Sequence, residues 1–336
     1  MTETRQYTVH VRDIFISDPC VLRSPDTGKY YIYARMFDPK RFPEVKRGAT
    51  FYAMESEDLI HWSRPILVFD KPDDFWAALD YWAPECHYYN GKYYLISSFR
   101  AEGKYRRCQA LVSESPTGPF VPFGEPLTPA GWQCLDGTLY VDRKGSPWLV
   151  FCHEWLQVWD GQVCAIRLKD DLSAPVGDPV VLFYASDAPW RGSIEKDGVP
   201  GQVTDGCWLH RMKNGSLIML WSNFSKGGYT IGTAKSRSGE VLGPWIQDPD
   251  PLWAMDGGHP SLFYTGDGKL MMSFHCNNKD KKMHICQMEE DGDKLRIINE
   301  ITGNWYSSVG GEYVGHFGYK TPSTDVDGNV PYRFKR

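Results

Sequence analysis

No stretch of this 336-residue sequence approaches the roughly 18 uninterrupted apolar residues that a membrane helix needs. Basic residues are in the minority: 37 Lys and Arg stand against 42 Asp and Glu, a net charge of −5, whereas a nucleic-acid partner requires a basic face. Residues 1–13 contain no apolar segment of the signal-peptide type. We therefore expect a cytoplasmic protein with no membrane partner and no nucleic-acid partner.

Paired cysteines are also lacking. The nine cysteines are odd in number and form no C-x-x-C pair, which disfavours both a disulfide framework and a zinc site. A cysteine in an apolar run behaves as a small hydrophobic residue, so we expect reduced, structural thiols. Those in or beside apolar runs are Cys20, Cys86, Cys134, Cys152, Cys164, Cys207 and Cys276.

Long helical periodicity is nearly absent as well. Short runs of β type recur instead, separated by Gly, Pro, Asn and Asp, which is typical of an all-β chain. The clearest repeat is a segment that starts with a turn glycine and continues into aromatic or β-branched residues. It occurs at residues 28–36, 91–100, 145–155, 215–224 and 268–278. A shorter strand precedes each glycine, and further strands follow the segment.

Four strands repeated five times predict a five-bladed β-propeller with four-stranded antiparallel blades. We expect a single domain over residues 1–336, because no linker or shift of composition divides the chain. The expected blades cover approximately residues 14–70, 80–128, 134–184, 203–253 and 256–300. Residues 301–336 are expected as a C-terminal extension, and either this extension or residues 5–13 close the ring or cover one face.

Polar residues gather where the first strands of the blades begin. In a propeller these strands line the central channel. The residues near their starts are Asp18, Glu85, Asp136, Asp205 and His259, one per blade. The sequence therefore predicts a cluster of carboxylates and one histidine at one end of the axis, where burying so many charges without a purpose is costly.

The second strand of each blade runs antiparallel to the first, so its end returns beside the first strand's start. This predicts a second set of polar residues around the same mouth: Arg35, Arg100, Glu154, Asn223 and His275. Aromatic residues make up 14% of the chain, and sugar rings stack on aromatic planes, so Trp82 joins the predicted sugar-binding residues. Aromatic richness is equally a property of all-β cores.

Several of these residues also have a purely structural explanation. An Asp before Gly or Pro is commonly a turn residue, which applies to Asp18, Asp136 and Asp205. His259 could be a packed, hydrogen-bonded histidine, and Glu154 a solvated strand end. Recurrence at the same end of successive blades favours a function, because turn chemistry does not require that end to be acidic.

Carboxylates around a channel suit the hydrolysis of glycosidic bonds. One ionised carboxylate activates water on one face of the sugar, and a protonated one on the other face, roughly 6.5–9.5 Å away for inversion, protonates the leaving oxygen. A third acid near the proton donor raises its pKa by repulsion between like charges. Arg35 and Arg100 could hold the base ionised or bind sugar hydroxyls.

Five segments together resemble glycoside hydrolase family 43, inverting enzymes on a five-bladed propeller that act mostly on arabinose-, xylose- or galactose-containing glycans. The segments are SDPCV with Asp18, YWAPECHYYNGKYYL in blade two, LDGTLYVDRKG with Asp136, VTDGCWLHRMKNG with Asp205, and GGHPSLFYTGDGKL with His259. The resemblance covers about residues 14–300. It implies that Asp18 is the general base and that Asp136 orients the general acid and tunes its pKa. His259 is similar to an axial histidine beside a central metal ion, frequently calcium, held largely through water.

One position departs from the family pattern, which usually has Glu-Gly-Pro where this chain has Asp205-Gly206-Cys207. Either Asp205 is the general acid with the sugar seated deeper, or another carboxylate serves. Glu154 is the preferred substitute and Glu85 the third candidate.

We therefore predict an exo-acting glycoside hydrolase that cleaves arabinose-, xylose- or galactose-containing oligosaccharides by inversion. It requires no cofactor, and a structural calcium ion at the axis is the group that the resemblance adds. One alternative is a retaining hydrolase of the fructan or sucrose type, although such enzymes usually carry an added β-sandwich. Another is a non-catalytic carbohydrate-binding propeller, if the change at Asp205 marks lost catalysis.

Overall fold

The computed structural model describes residues 6–34, 40–46, 48–276 and 281–302. Five antiparallel sheets of four or more strands follow one another along this part of the chain, and a two-stranded sheet lies between the third and the fourth of them. The innermost strands of consecutive blades contact each other, and the innermost strand of the fifth blade contacts that of the first, which closes the ring. The predicted all-β, five-bladed propeller is confirmed.

The strands of blade one are β1 Val9–His10, β2 Cys20–Arg23, β3 Tyr30–Ala34, β4 Thr50–Ser56, β5 His61–Trp62 and β6 Ile66–Asp70. Blade two contains β7 Leu79–Tyr89, β8 Lys92–Arg100, β9 Arg107–Ser113 and β10 Val121–Phe123, and blade three contains β11 Cys134–Val141, β12 Pro147–His153, β13 Gln162–Leu168 and β14 Pro175–Tyr184. A two-stranded hairpin follows, formed by β15 Ile194–Lys196 and β16 Val199–Gly201. Blade four contains β17 Asp205–Arg211, β18 Leu217–Ser225, β19 Gly228–Ser236 and β20 Trp245–Gln247, and blade five contains β21 Gly257–Tyr264, β22 Leu270–Cys276, β23 Lys282–Asp291 and β24 Lys294–Glu300.

The repeated turn glycines have a common conformation. All five have a positive φ, between +72° and +89°, which glycine adopts without steric cost: Gly28, Gly91, Gly145, Gly215 and Gly268. Each turn leads from the innermost strand of a blade into the next strand. The sequence repeat is therefore a repeat of this hairpin.

The residues that precede the innermost strand of blade one, β2, contribute to ring closure. β1 pairs with β5, and the amide of Ile16 donates to the carbonyl of Lys281 at 2.9 Å, beside the third strand of blade five. Residues 14–16 thus join blade one to blade five. Of the predicted extension, residues 301–336, the structure describes residues 301 and 302, and the rest lies outside the described residues.

The core consists of apolar clusters between neighbouring blades. Phe51, Phe69, Tyr81 and Phe99 pack together between blades one and two, with ring centroids 5.0–6.3 Å apart. Burying one such side chain contributes about 1.5–3 kcal/mol. All nine cysteines lie among the described residues, and each is buried and free, as expected.

Helical structure is scarce in the described residues. A four-residue α-helix, α1, spans Trp155–Val158 after β12, and two short 3₁₀-helices span Val11–Asp13 and Ala185–Asp187. Among the described helices, none combines the length and the apolar character that a membrane crossing requires.

Candidate active site

Three of the predicted axial residues share one backbone conformation. Asp18, Asp136 and His259 have φ values of +53°, +53° and +58°, which are uncommon for residues other than glycine. In β11 and β21 this residue forms part of a bulge, where the pairing with the second strand shifts. All three residues line one cavity of about 860 Å³.

Side chains of the preceding blade hold this conformation in place. The amide of Asp136 donates to Oγ of Ser98 at 3.0 Å, and the amide of His259 donates to Oγ of Ser222 at 2.9 Å. The amide of Asp18 donates to Nδ1 of His275 at 3.1 Å. The end of each of these second strands thus positions the first polar residue of the next blade.

Glu85 and Asp205 do not occupy the corresponding position, which corrects the prediction of one equivalent residue per blade. Ala83 and Gly206, with φ values of +46° and +51°, take this position in blades two and four. Asp205 therefore lies one residue before it, and Glu85 lies two residues after it. A Cβ atom at Gly206 would lie 2.7 Å from Cα of His259, so the neighbouring histidine leaves no room for a side chain there.

His259 lies at the centre of the carboxylates. Its Nδ1 is 3.3 Å from Oδ1 of Asp18 and 3.7 Å from Oδ2 of Asp136, and its Nε2 is 3.9 Å from Oε1 of Glu85. Glu85, Asp136 and His259 are buried, whereas the side chain of Asp18 keeps 22% of its surface exposed. Asp18 is therefore the member of this group that is most accessible to water or a sugar.

Burial and mutual repulsion change the acidity of the group. Burial raises the pKa of Asp205 well above its usual range, and the charge of Asp136 adds to this. Burial, together with Asp18 and Glu85, raises the pKa of Asp136 to about 6. Burial alone would lower the pKa of His259, but the surrounding carboxylates raise it to about 9. Asp205 is thus a weaker acid than an ordinary carboxyl group, and His259 is positively charged at neutral pH.

Asp205 and Asp136 are linked through the backbone between blades. The amide of Gly206 donates to Oδ2 of Asp136 at 3.1 Å, and the hydroxyl of Tyr229 donates to Oδ2 of Asp205 at 3.2 Å. Asp205 and Tyr229 both line the cavity. Two partly exposed carboxyl groups, those of Asp18 and of the weaker acid Asp205, therefore share a cavity with the buried carboxyl group of Asp136.

Comparison with known proteins shows the family to which the chain belongs. The family model described as Glycosyl hydrolases family 43 matches residues 7–293. The chain belongs to this family. A crystal structure described as endo-arabinase from Bacteroides thetaiotaomicron VPI-5482 is 41% identical, with a TM-score of 0.81, and the match covers 86% of this chain and 99% of that one.

Two curated proteins are also similar to this family 43 chain. The extracellular endo-alpha-(1->5)-L-arabinanase 1 of Bacillus subtilis (strain 168) is 26% identical over 294 residues, which cover 78% of this chain and 84% of that protein. Xylosidase/arabinosidase 43A of Humicola insolens is 29% identical over 132 residues, which cover 39% of this chain and 35% of that protein.

The remaining predicted site residues of the family 43 chain divide into two groups. Glu154, Trp82 and His275 line the cavity. Arg100 is not part of the cavity lining and instead pairs with Asp80. Asn223 is also absent from the lining. It follows Ser222, whose Oγ accepts from the amide of His259, and adjacent residues of a strand point to opposite faces. The side chain of Asn223 therefore points away from the cavity, and its Oδ1 accepts from the amide of Phe224. Arg35 lies outside the described residues.

The metal implied by the family resemblance can be tested against the axial residues. In the described part of the chain, no three His, Cys, Asp or Glu side chains are grouped to hold an ion directly. However, both carboxylate oxygens of Glu85 and Nε2 of His259 are buried without a hydrogen bond to any described residue. Four carboxylates also face one imidazole here. This negative surplus and these polar atoms fit a hydrated cation.

The sequence did not reveal the hairpin β15–β16, which forms one wall of the cavity. Ile194, Glu195, Lys196, Asp197 and Gly198 belong to the cavity lining. The hairpin rests on Trp155 of α1, since a Cβ atom at Gly201 would lie 2.0 Å from the Trp155 ring. The long gap between the predicted blades three and four was the only signal of it.

Proposed function

We propose that this family 43 protein hydrolyses α-L-arabinofuranosyl linkages in oligosaccharides by inversion. Asp18 is the general base, Asp205 the general acid, and Asp136 the residue that tunes the acid. The observation that carries the proposal is a contrast within one cavity: Asp18 lies 3.3 Å from Nδ1 of a positively charged histidine, whereas burial raises the pKa of Asp205.

Each carboxyl group has the environment that its proposed step needs. The positive charge of His259, 3.3 Å from Asp18, stabilises the ionised form with which a base accepts a proton from water. The raised pKa of Asp205 favours the protonated form that can donate a proton to the leaving oxygen. Asp136 raises the pKa of Asp205 by its charge, and its hydrogen bond from Gly206 holds the two strands together.

Arabinose is the favoured sugar among the three that the sequence suggested. The names of the Bacteroides, Bacillus and Humicola proteins all refer to arabinan or arabinosides. The walls that the hairpin and α1 add to the cavity support attack at a chain end. Two of the relatives are named for internal attack, which makes an endo-arabinanase the second candidate.

Product analysis of linear α-1,5-arabinan tests the function. We expect arabinose from the start of the reaction, with the first product in the anomeric configuration opposite to the substrate by proton NMR. A ladder of oligosaccharides would indicate internal attack, and retained configuration would exclude this mechanism. Cleavage of xylosides or galactosides alone would refute the choice of sugar.

Asp18→Asn should lower turnover roughly 10²–10⁴-fold with an intact circular dichroism spectrum.

If oligosaccharides bind but no glycoside of the three sugars is cleaved, the chain is a carbohydrate-binding propeller. Exposed Asp267 provides the matched control: Asp267→Asn changes a turn of blade five outside the cavity and should leave turnover unchanged.

A further inference from the structure

A buried arginine lies directly behind the cavity wall. Arg106 is 4% exposed and precedes β9. Its Nη1 donates to Oε2 of Glu154 at 2.6 Å, its Nη2 donates to Oδ2 of Asp80 at 3.1 Å, and its Cζ lies 3.8 Å from the ring centroid of Trp82. Trp82 and Glu154 line the cavity, whereas Arg106 and Asp80 do not.

The charges around Arg106 alternate. Arg100 also binds Asp80, so two guanidinium groups and two carboxylates form one chain from the half-exposed Arg100 to Glu154 at the cavity. Burial would raise the pKa of Asp80, but Arg100 and Arg106 outweigh it and lower that pKa. Such a network contributes little net stability compared with apolar packing. What it does provide is a fixed position for each member.

We propose that Arg106 is a positioning residue that holds Trp82 and Glu154 as the two parts of one sugar-binding wall; this rests on the proposed function. The guanidinium covers one face of the Trp82 indole. A sugar ring can therefore stack only on the part of the indole that faces the cavity. It also occupies Oε2 of Glu154, which leaves Oε1 to accept from sugar hydroxyls.

The same contact separates the role of Glu154 from that of Asp205. One oxygen of Glu154 is bound to a buried cation, while Asp205 is bound by a neutral tyrosine hydroxyl. A carboxylate fixed by a guanidinium is suited to binding hydroxyl groups, and Arg is suited to this task because its planar fork binds two carboxylates while stacking on an aromatic ring. Lysine provides the charge without the fork.

Steady-state kinetics with an arabino-oligosaccharide tests the proposal. Arg106→Lys should raise KM about threefold and Arg106→Met about tenfold or more, with kcat changed less than threefold, because the wall binds the sugar and does not transfer a proton. Arg107→Met is the matched control. Arg107 donates to the carbonyls of Pro126 and Thr128 and does not line the cavity, so KM should not change.

Arg106→Met leaves the buried Glu154 without its partner and could fail to fold, so a second variant is needed. Arg106→Met with Glu154→Gln removes that charge, and Glu154→Gln alone is its reference. We expect the double variant to recover stability while its KM stays above that of Glu154→Gln, because Trp82 has lost the guanidinium that holds it. A stable double variant with the same KM as Glu154→Gln would overturn the proposal.

The position of the Trp82 ring can be followed without substrate. In protein labelled with 5-fluorotryptophan, Trp82→Phe identifies the Trp82 signal in the ¹⁹F NMR spectrum. This signal should shift or broaden in Arg106→Lys and in the double variant but not in Arg107→Met. An unchanged signal together with an unchanged KM refutes the proposal. If the wild type cleaves no arabinoside, the proposed function fails, and the ¹⁹F spectra still decide whether Arg106 holds the ring.

Discussion

The hydroxyl of Tyr229 donates a hydrogen bond to Oδ2 of Asp205 at 3.2 Å. Tyr229 is itself buried, and burial together with the charge of Asp205 raises its pKa well above the usual value. The tyrosine therefore keeps its proton over the whole working range of pH. It remains a hydrogen-bond donor to the residue that we propose as the general acid.

This contact predicts the effect of Tyr229→Phe on the pH profile. A donated hydrogen bond stabilises the ionised carboxylate, so its loss should raise the pKa of Asp205 further. Activity needs the protonated acid and falls as pH rises through that pKa. The basic limb of kcat/KM should therefore move to higher pH, by about one unit. Tyr264→Phe, an exposed tyrosine outside the cavity, should leave the limb in place. If the basic limb of folded Tyr229→Phe stays in place or moves to lower pH, this would contradict the assignment of Asp205 as the general acid.

Leaving-group dependence distinguishes Asp205 from Glu154. A nitrophenol leaving group needs little protonation, whereas a sugar alcohol needs it strongly. Asp205→Asn should lower turnover of the natural oligosaccharide roughly 10²–10⁴-fold and that of the nitrophenyl arabinoside far less. Glu154→Gln should affect both substrates alike, because its carboxylate is bound to Arg106. Equal losses on both substrates for both variants would shift the acid role to Glu85.

The propeller could be predicted from sequence because its repeat is local. A turn glycine followed by alternating apolar residues specifies a hairpin within some twenty residues, and five copies imply a closed ring. The bulge could not be predicted in the same way. It adds one residue to the innermost strand and shifts the alternation of its side chains. Glu85 and Asp205 therefore do not occupy the position that Asp18 has in blade one.

The charges behind the wall were missed for a different reason. Arg106 precedes the third strand of its blade, and Asp80 lies ahead of the axial position in the first. Their meeting with Glu154 of blade three depends on how two blades pack, which no repeat encodes. Asn223 was predicted at the mouth of the channel but does not line the cavity. Adjacent residues of a strand point to opposite faces, so an error of one residue is enough to misplace its side chain.

Calcium should stabilise the protein through the polar atoms at the axis. If a hydrated ion occupies the space beside Glu85 and His259, a calcium concentration of 100 times Kd should add about 2.7 kcal/mol to the free energy of unfolding. The melting temperature should rise with calcium and fall with chelator, and Glu85→Gln should abolish this response. Glu290→Gln alters a second buried Glu–His pair, 2.8 Å from His210, and should keep it. Elemental analysis without metal, together with no effect of chelator, would exclude the ion.

Gly206→Ala should destabilise the fold more than the replacement of a glycine that also has a positive φ but has open space around it. Gly206 has a φ of +51°, which costs an L-residue about 1–2 kcal/mol, and an added Cβ would also meet His259 at 2.7 Å. Overpacking of this kind costs a further 1–3 kcal/mol, roughly. Gly91→Ala is the matched control, because its φ is +82° and nothing lies within 4 Å of the added atom.

Urea denaturation of the two variants measures the difference. Gly91→Ala should lose only the backbone contribution and keep full activity, since Gly91 lies in a turn away from the cavity. Gly206→Ala should lose about 1–3 kcal/mol more, and its kcat should fall, because any displacement of His259 moves the positive charge away from Asp18. Equal losses of stability in both variants would mean that His259 yields to the methyl group. The close packing of Gly206 against His259 would then not be what fixes the histidine at the axis.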